Sequence, residues 1–370
     1  MLAEIIRQKI IKEGPISFRD FMDMCLYFPG CGYYTSSKEQ IGKTGDYYTS
    51  SSISEVFGAM IAKQVEEMWN ALGRRSFTLV EFGAGQGLLC HDILDYLKEQ
   101  NSNLYSQLRY CIIEKSPVMR QRQKNHLLEK VIWYNSIGEL GEIEGCIISN
   151  EVVDNFPVHQ VSMEDELKEV FVDYNKGFIE VLRPAGVALI NYLKELDVSL
   201  PRGFRTEINL DAVEWLKEIG AGLKRGYILT IDYGGSSPDL YNERRKRGTL
   251  VCFHNHTVNE YPYDAIGAQD ITAHVNFSAL SHWGRKNGLS SYALINQAEF
   301  LLALGFKEYL RKNVQGNDLM LSVKKEAFLT QTLLLDMGMK FKVLIQEKGD
   351  MHVDLLGLKF AKQQTSIQFP

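Results

Sequence analysis

Residues 80–88, VEFGAGQGL, decide the fold. Gly83, Gly85 and Gly87 stand at alternate positions between an apolar run, FTLVEF (77–82), and a helical pattern, LLCHDILDYLKE (88–99). A short apolar run that ends in bare backbone and opens a helix reads as a buried strand, a tight turn and a helix. In an open α/β sheet such a turn lies at the carboxyl end of a strand, where ligands bind. The plainer alternative is a strand–helix turn that holds nothing.

Outward from this stretch the alternation continues. RYCIIE (109–114), VIWY (131–134), CIIS (146–149) and GYILTIDYG (226–234) read as further strands. Between them lie a helix opened by Ser116 with Pro117 at its first position and another around 207–222. Apolar strands separated by helices predict a mostly parallel, doubly wound sheet covered on both faces. Two stretches break the rhythm. Residues 158–183 read as strands joined by a turn at 175–177, and 235–275 as a long polar loop. The reading therefore divides the chain into an amino-terminal helical cover, 1–76, and a core, 77–370, with insertions around 156–205 and 235–290. Late helices are expected in QAEFLLALG and EAFLTQTLLLDMG, and late strands in MLSVKK and FKVLIQE.

The ligand follows from two details. A dinucleotide fingerprint, G-x-G-x-x-G, would put its third glycine on Leu88. Here Glu81 precedes the glycines instead, a carboxylate ill suited to a pyrophosphate and well suited to a cation. The pattern resembles the first motif of class I S-adenosylmethionine (SAM) methyltransferases, whose methyl donor carries an ammonium and a sulfonium. Glu114, at the end of the second strand, can accept hydrogen bonds from ribose hydroxyls. Asn135 and Ser136, after the third, are placed to meet the adenine. A phosphate-loop decoy, IGKTGD (41–46), fails because the required leading glycine is Ser37.

After the fourth strand comes SNEVVDNFPVHQ (149–160). Asn150, Glu151 and Asp154 are candidate acceptor residues; otherwise the loop simply caps a helix. On one helical turn, Glu151 and Asp154 would share a face. Two carboxylates can hold a guanidinium, which is protonated at neutral pH and a poor nucleophile.

Composition sets outer bounds. The 370 residues carry a net charge of −5 and 45% apolar side chains, a globular balance without the basic excess of a general nucleic-acid binder. No stretch approaches the roughly 18 apolar residues of a membrane span. The six cysteines contain no C-x-x-C pair, so free thiols in a reducing compartment, the cytoplasm, are expected. The amphipathic start, MLAEIIRQKIIKEG, carries Glu4 and Glu13, unlike an acid-poor transit peptide.

Several separate stretches resemble the MidA family of SAM-dependent methyltransferases, which includes the mitochondrial complex I assembly methyltransferase. They are GPISFRDFM…GCGYYTSS…IGKTGDYYTSSSISEVFG (14–58), EFGAGQG, SNEVVDNFPVHQ, IDYGG, RGTLVCFHNH, GAQDITAHVNFSAL, NQAEFLLALGF and MGMKFKVLIQEKG, in the family's order. The resemblance implies SAM as cofactor and a protein substrate. For the mitochondrial branch it implies symmetric dimethylation of an arginine on a respiratory complex I subunit. It also implies that Gly45, Asp46 and Thr49 belong to the cofactor cover, and Asp270 and His274 to the cleft.

Other readings stay beside this one. His274 could serve as a general base. Cys252, His254, His256, Asp270 and His274 could look like a metal cluster, but methyl transfer needs no metal, and none is expected. The tyrosines of GYYTSS could line the cleft or simply pack. The chain could also be an assembly factor with little turnover, or act on a small molecule. A homodimer is compatible with the sequence.

Overall fold

The structure is a computed structural model that describes residues 1–36, 50–127, 130–255, 257–313, 319–351 and 353–361. Gly45, Asp46 and Thr49 lie outside the described residues, as do all of IGKTGD and His256.

Seven long strands form the central sheet: β1 (Phe77–Phe82), β2 (Leu108–Ile113), β3 (Val131–Tyr134), β4 (Ile143–Asn150), β5 (Leu223–Gly235), β6 (Ser290–Asn296) and β7 (Phe341–Lys348). Their spatial order is β6-β7-β5-β4-β1-β2-β3. Strands β1 to β5 are parallel, and β7 runs antiparallel between β5 and β6. Strand order reverses at β1, which lies between β2 and β4, so a crevice opens beyond their carboxyl ends.

Alternation along β1 sends successive side chains to opposite faces. Leu79 joins one core with helices Glu55–Ala71, Leu88–Gln100 and Gln297–Ala303. Val80 and Phe82 join a second core with helices Leu210–Gly222 and Phe277–Lys286. The sheet is thus covered on both sides, as the apolar strands predicted.

The insertions build a further body. Strands His159–Met163, Leu167–Tyr174, Phe178–Pro184 and Arg205–Ile208 form an antiparallel sheet, turning at 175–177 as expected. Ile16–Ser17 pairs with its Leu167–Tyr174 strand. Helices Leu2–Glu13 and Phe18–Tyr27 bury Ile6, Ile10, Phe18, Phe21 and Leu26 in a third core with Val158, Val170, Val172 and Ile271. Arg19 secures this body to the main one by a two-pronged ion pair, Nε to Asp211 Oδ1 at 3.2 Å and Nη2 to Oδ2 at 2.7 Å. The expected cover thereby divides: residues 1–36 join the insertions, whereas Glu55–Ala71 is a covering helix of the central sheet.

Two expectations change. The polar stretch 235–275 contains a small sheet, Val251–His254, Thr257–Asn259 and Asp270–Thr272. MLSVKK is not a strand: it lies in helix Leu319–Thr330, which continues through a π-helical turn, Gln331–Asp336. Its alternation of large and small residues fits either period, and burial of Leu329, Leu333 and Leu334 against the first core favours the helix.

Candidate active site

Beyond β1 the chain makes the turn that the glycines predicted. Gly83 and Gly85 have φ of 59° and 54°, and Gly87, in the left-handed region at 84°, caps helix Leu88–Gln100. The amide of Gly83 donates to Ile113 O at 3.0 Å, so the turn hangs from β2. A Cβ on Gly83 would meet Val152 at 3.0 Å. The acceptor loop therefore sits directly over the bare backbone.

These segments enclose a cavity of about 280 Å³. Its lining includes Tyr27 and Tyr34 from the amino-terminal body, Glu81, Gly83 and Gly85 from β1 and its turn, Glu114 beyond β2, and Asn150, Glu151 and Asn155 beyond β4.

Three carboxylates line this space, each raised above its ordinary pKa. Glu81 is buried on β1, accepts a hydrogen bond from Tyr110 Oη at 2.7 Å, and is pushed by burial to about 7. Burial also raises Glu114, which accepts from Ser116 N at 2.8 Å and Gln123 Nε2 at 3.0 Å. Glu151 is likewise raised by burial to about 7, and its Oε1 accepts from Ser50 N at 2.8 Å and Asn150 Nδ2 at 3.2 Å. Glu151 has φ of 55°, a left-handed conformation that is costly for a side chain of this size. Such outliers cluster at functional sites. Asn150 Oδ1 is buried with no hydrogen-bond partner among the described residues.

Behind the acceptor loop stands a residue that the sequence reading left without a role. Asp232, near the end of β5, directs Oδ2 at the amides of Val152, Val153 and Asp154, at 3.2, 3.0 and 3.3 Å. This holds the 3₁₀ turn Val153–Asn155 in place. Its only signal was an acid at the end of a buried strand, in IDYGG.

Other predicted residues lie elsewhere. Asp154 is buried but does not line the cavity; burial and the nearby Asp232, Asp270 and Glu151 drive its pKa well up. Because Glu151 precedes the 3₁₀ turn and takes a left-handed conformation, the expected single helical face does not form. Asn135 and Ser136 are exposed and outside the lining, with Asn135 engaged by Glu139 at 3.1 Å and Arg120 at 2.9 Å. His274 lines a separate space of about 20 Å³ with Glu207 and Thr249, and burial lowers its pKa to about 4. That position removes it from the candidate acceptor cavity. Asp270 accepts from Tyr34 Oη at 2.9 Å and Asn155 Nδ2 at 3.1 Å, bracing the cavity wall. Of the GYYTSS tyrosines, Tyr33 packs in the third core and Tyr34 lines the cavity, stacked on Tyr27 at 5.6 Å. Among the described residues no three metal-ligating side chains converge.

Bare backbone, an unpartnered amide oxygen and buried acids fit a cationic nucleoside. Residues 60–295 match the model of a family described as putative S-adenosyl-L-methionine-dependent methyltransferases. The chain belongs to this family. A related structure from Burkholderia thailandensis, solved with S-adenosyl-homocysteine bound, is 30% identical at a TM-score of 0.87, over 97% of this chain and 94% of that one. A Caenorhabditis elegans relative named a mitochondrial protein arginine methyltransferase NDUFAF7 homolog is 28% identical over 92% of this chain and 85% of its own. The human protein arginine methyltransferase NDUFAF7 is 26% identical over 86% and 79%. The chain is thus a SAM-dependent methyltransferase of the MidA type, on a class I fold.

Two outcomes test the cavity. Gly85→Val places a β-branched side chain at a φ of 54°, at a cost of about 1–3 kcal/mol. Calorimetric titration should show SAM affinity reduced at least ~100-fold while circular dichroism keeps its α/β signature; wild-type affinity would move the donor elsewhere. The second concerns pH. Glu151, raised to about 7, keeps its proton in the folded chain where the unfolded chain has lost it, so its contribution to stability falls as pH rises from the ordinary 4.5 to about 7. Without ligand, the melting temperature of Glu151→Gln should therefore fall less than wild type over that interval, and parallel curves would contradict the burial of this carboxyl.

Proposed function

We propose that this methyltransferase modifies a side-chain nitrogen of a protein, arginine, and that its donor site comprises Glu81, Gly83, Gly85, Gly87 and Glu114. The observation that carries the acceptor reading is Glu151, strained into the cavity with one oxygen already held by Ser50 and Asn150. The donor supplies an electrophilic methyl carbon on a sulfonium. The chain supplies alignment and charge.

Glu151 would hold the acceptor guanidinium by a charge-assisted hydrogen bond and take the proton that the methylated nitrogen loses. Fixing Oε1 from behind leaves Oε2 for this work. Asp154, whose pKa burial drives well up, would act from beneath the loop as a structural group, without contributing charge or a second clamp arm. Asp232 would position both by gripping the backbone between them. Tyr27 and Tyr34 would form the wall against which a planar cation can lie. In this reading residues 1–36 and the insertions around 156–205 and 235–290 shape the acceptor side, and Gly45, Asp46 and Thr49 complete the donor side.

Relatives named as mitochondrial protein arginine methyltransferases support this acceptor; symmetric dimethylation of a respiratory-complex subunit is the finer form of the same proposal. Free thiols at all six cysteines support a reducing compartment such as the cytoplasm. No described helix is long and apolar enough to cross a membrane.

Glu151→Gln should keep SAM affinity within about threefold and lower methyl transfer by 10²-fold or more, the usual scale for a positioned acid–base group. In wild type, kcat/KM for an arginine-containing protein acceptor should rise with pH through about 7, where Glu151 ionises, and this limb should vanish in the variant. Mass spectrometry for methylarginine in cells with and without the gene supplies the acceptor. An active variant that retains the limb would take Glu151 out of the mechanism.

A further inference from the structure

Helix Pro117–His126 follows β2 and carries mostly charged or amide side chains. Its Gln123 is completely buried, an unusual fate for a long polar residue. The indole Nε1 of Trp133 donates to Gln123 Oε1 at 2.8 Å. Indole nitrogen can only donate, so this contact fixes which end of the amide is oxygen. The opposite end then has two hydrogens, and two acceptors face it. Nε2 lies 3.0 Å from Gly85 O and 3.0 Å from Glu114 Oε2.

We propose that Gln123 is a positioning residue for the donor site, locking the glycine turn and the Glu114 carboxylate into one unit that selects a ribose diol. This rests on the reading of Glu114 as the ribose ligand. Ser116 N occupies one position on Oε1 and Gln123 one on Oε2. Lys115 N also acts on this carboxylate, and these donors leave lone pairs on the oxygens for further hydrogen bonds while holding its plane against swinging. Two adjacent hydroxyls are the donors that such a fixed pair accepts together. The same amide holds the carbonyl of Gly85, so the backbone under the nucleoside and the acid beside its sugar cannot separate. With Gln123 removed, Glu114 would lose a donor, and Gly85 O would lose its side-chain partner at the half-buried cavity wall.

The test is titration of S-adenosylhomocysteine and its 2′-deoxy and 3′-deoxy analogues into wild type, Gln123→Leu and Gln123→Glu. Wild type should bind each deoxy analogue at least tenfold more weakly than the parent. Gln123→Leu should bind the parent about tenfold more weakly than wild type does, and the penalty for either missing hydroxyl should shrink to threefold or less. Gln123→Glu puts a second carboxyl beside Glu114 and the Gly85 carbonyl, so the pair must share a proton. Its affinity should fall as pH rises through neutrality, more steeply than wild type. This variant carries the test if the leucine variant does not fold.

Weaker binding by Gln123→Leu with undiminished discrimination between diol and deoxy sugar would overturn the proposal and leave Gln123 as packing. So would a pH profile of Gln123→Glu that parallels wild type. Equal affinity of wild type for all three ligands is a different outcome: it removes the ribose role of Glu114 itself.

Discussion

Carboxyl groups crowded at the carboxyl edge of the sheet are the constraint that the rest of the molecule answers to. Glu81, Glu114, Glu151, Asp154 and Asp232 gather there, and none forms an ion pair among the described residues. Taking a carboxylate out of water costs on the order of several kcal/mol even after relaxation. The chain offsets part of that with directed donors: Tyr110 on Glu81, Ser116 and Gln123 on Glu114, Ser50 on Glu151, and three amides on Asp232. What remains is a cluster of carboxyls that hold their protons more tightly than in water, with the charge of Arg120 acting on Glu114. A cationic ligand in this crevice would favour their ionised forms.

That crowding also explains the backbone around it. Donors reach these acids because the strand order turns back at β1, bringing three strand ends within one crevice. Val152 sits over Gly83 closely enough that a methyl group there would be crowded. The loop after β4 and the glycine turn are consequently packed against one another, and moving either would displace the other.

Much of this was legible in the chain itself. The strands β1 to β5 announce themselves as apolar runs closed by turn residues, and alternation at Glu81 and Glu114 places acids at strand ends. The order in which those strands lie, and the antiparallel insertion of β7, depend on contacts between distant residues and leave no local periodic signal. The helix at 319–330 was misread for the same reason, since a short run such as MLSVKK satisfies both periods until its neighbours are known. Within the site, Glu151 could be found from its neighbourhood, but its left-handed backbone could not, and with it went the expectation that Asp154 shares its face. Gln123 gave no signal at all: an amide among charged helix residues looks solvent-facing, and only the indole of Trp133, ten positions later, reveals otherwise. His274 erred in the opposite direction, because a histidine in a polar stretch suggests chemistry while its ring in fact packs edge-on against Tyr233.

The third core has its own consequence. The opening helices, one face of the antiparallel insertion sheet and the small sheet near 251–272 share this core, while Val161, Leu167 and Ile208 of the same insertion sheet belong to the second core; Tyr27 and Tyr34 reach the cavity from this side. The opening segment is fastened to the central body by Arg19–Asp211 and Ser116–Tyr34. The insertion sheet is therefore a shared partition wall, and a substitution on either of its faces is felt in a different core.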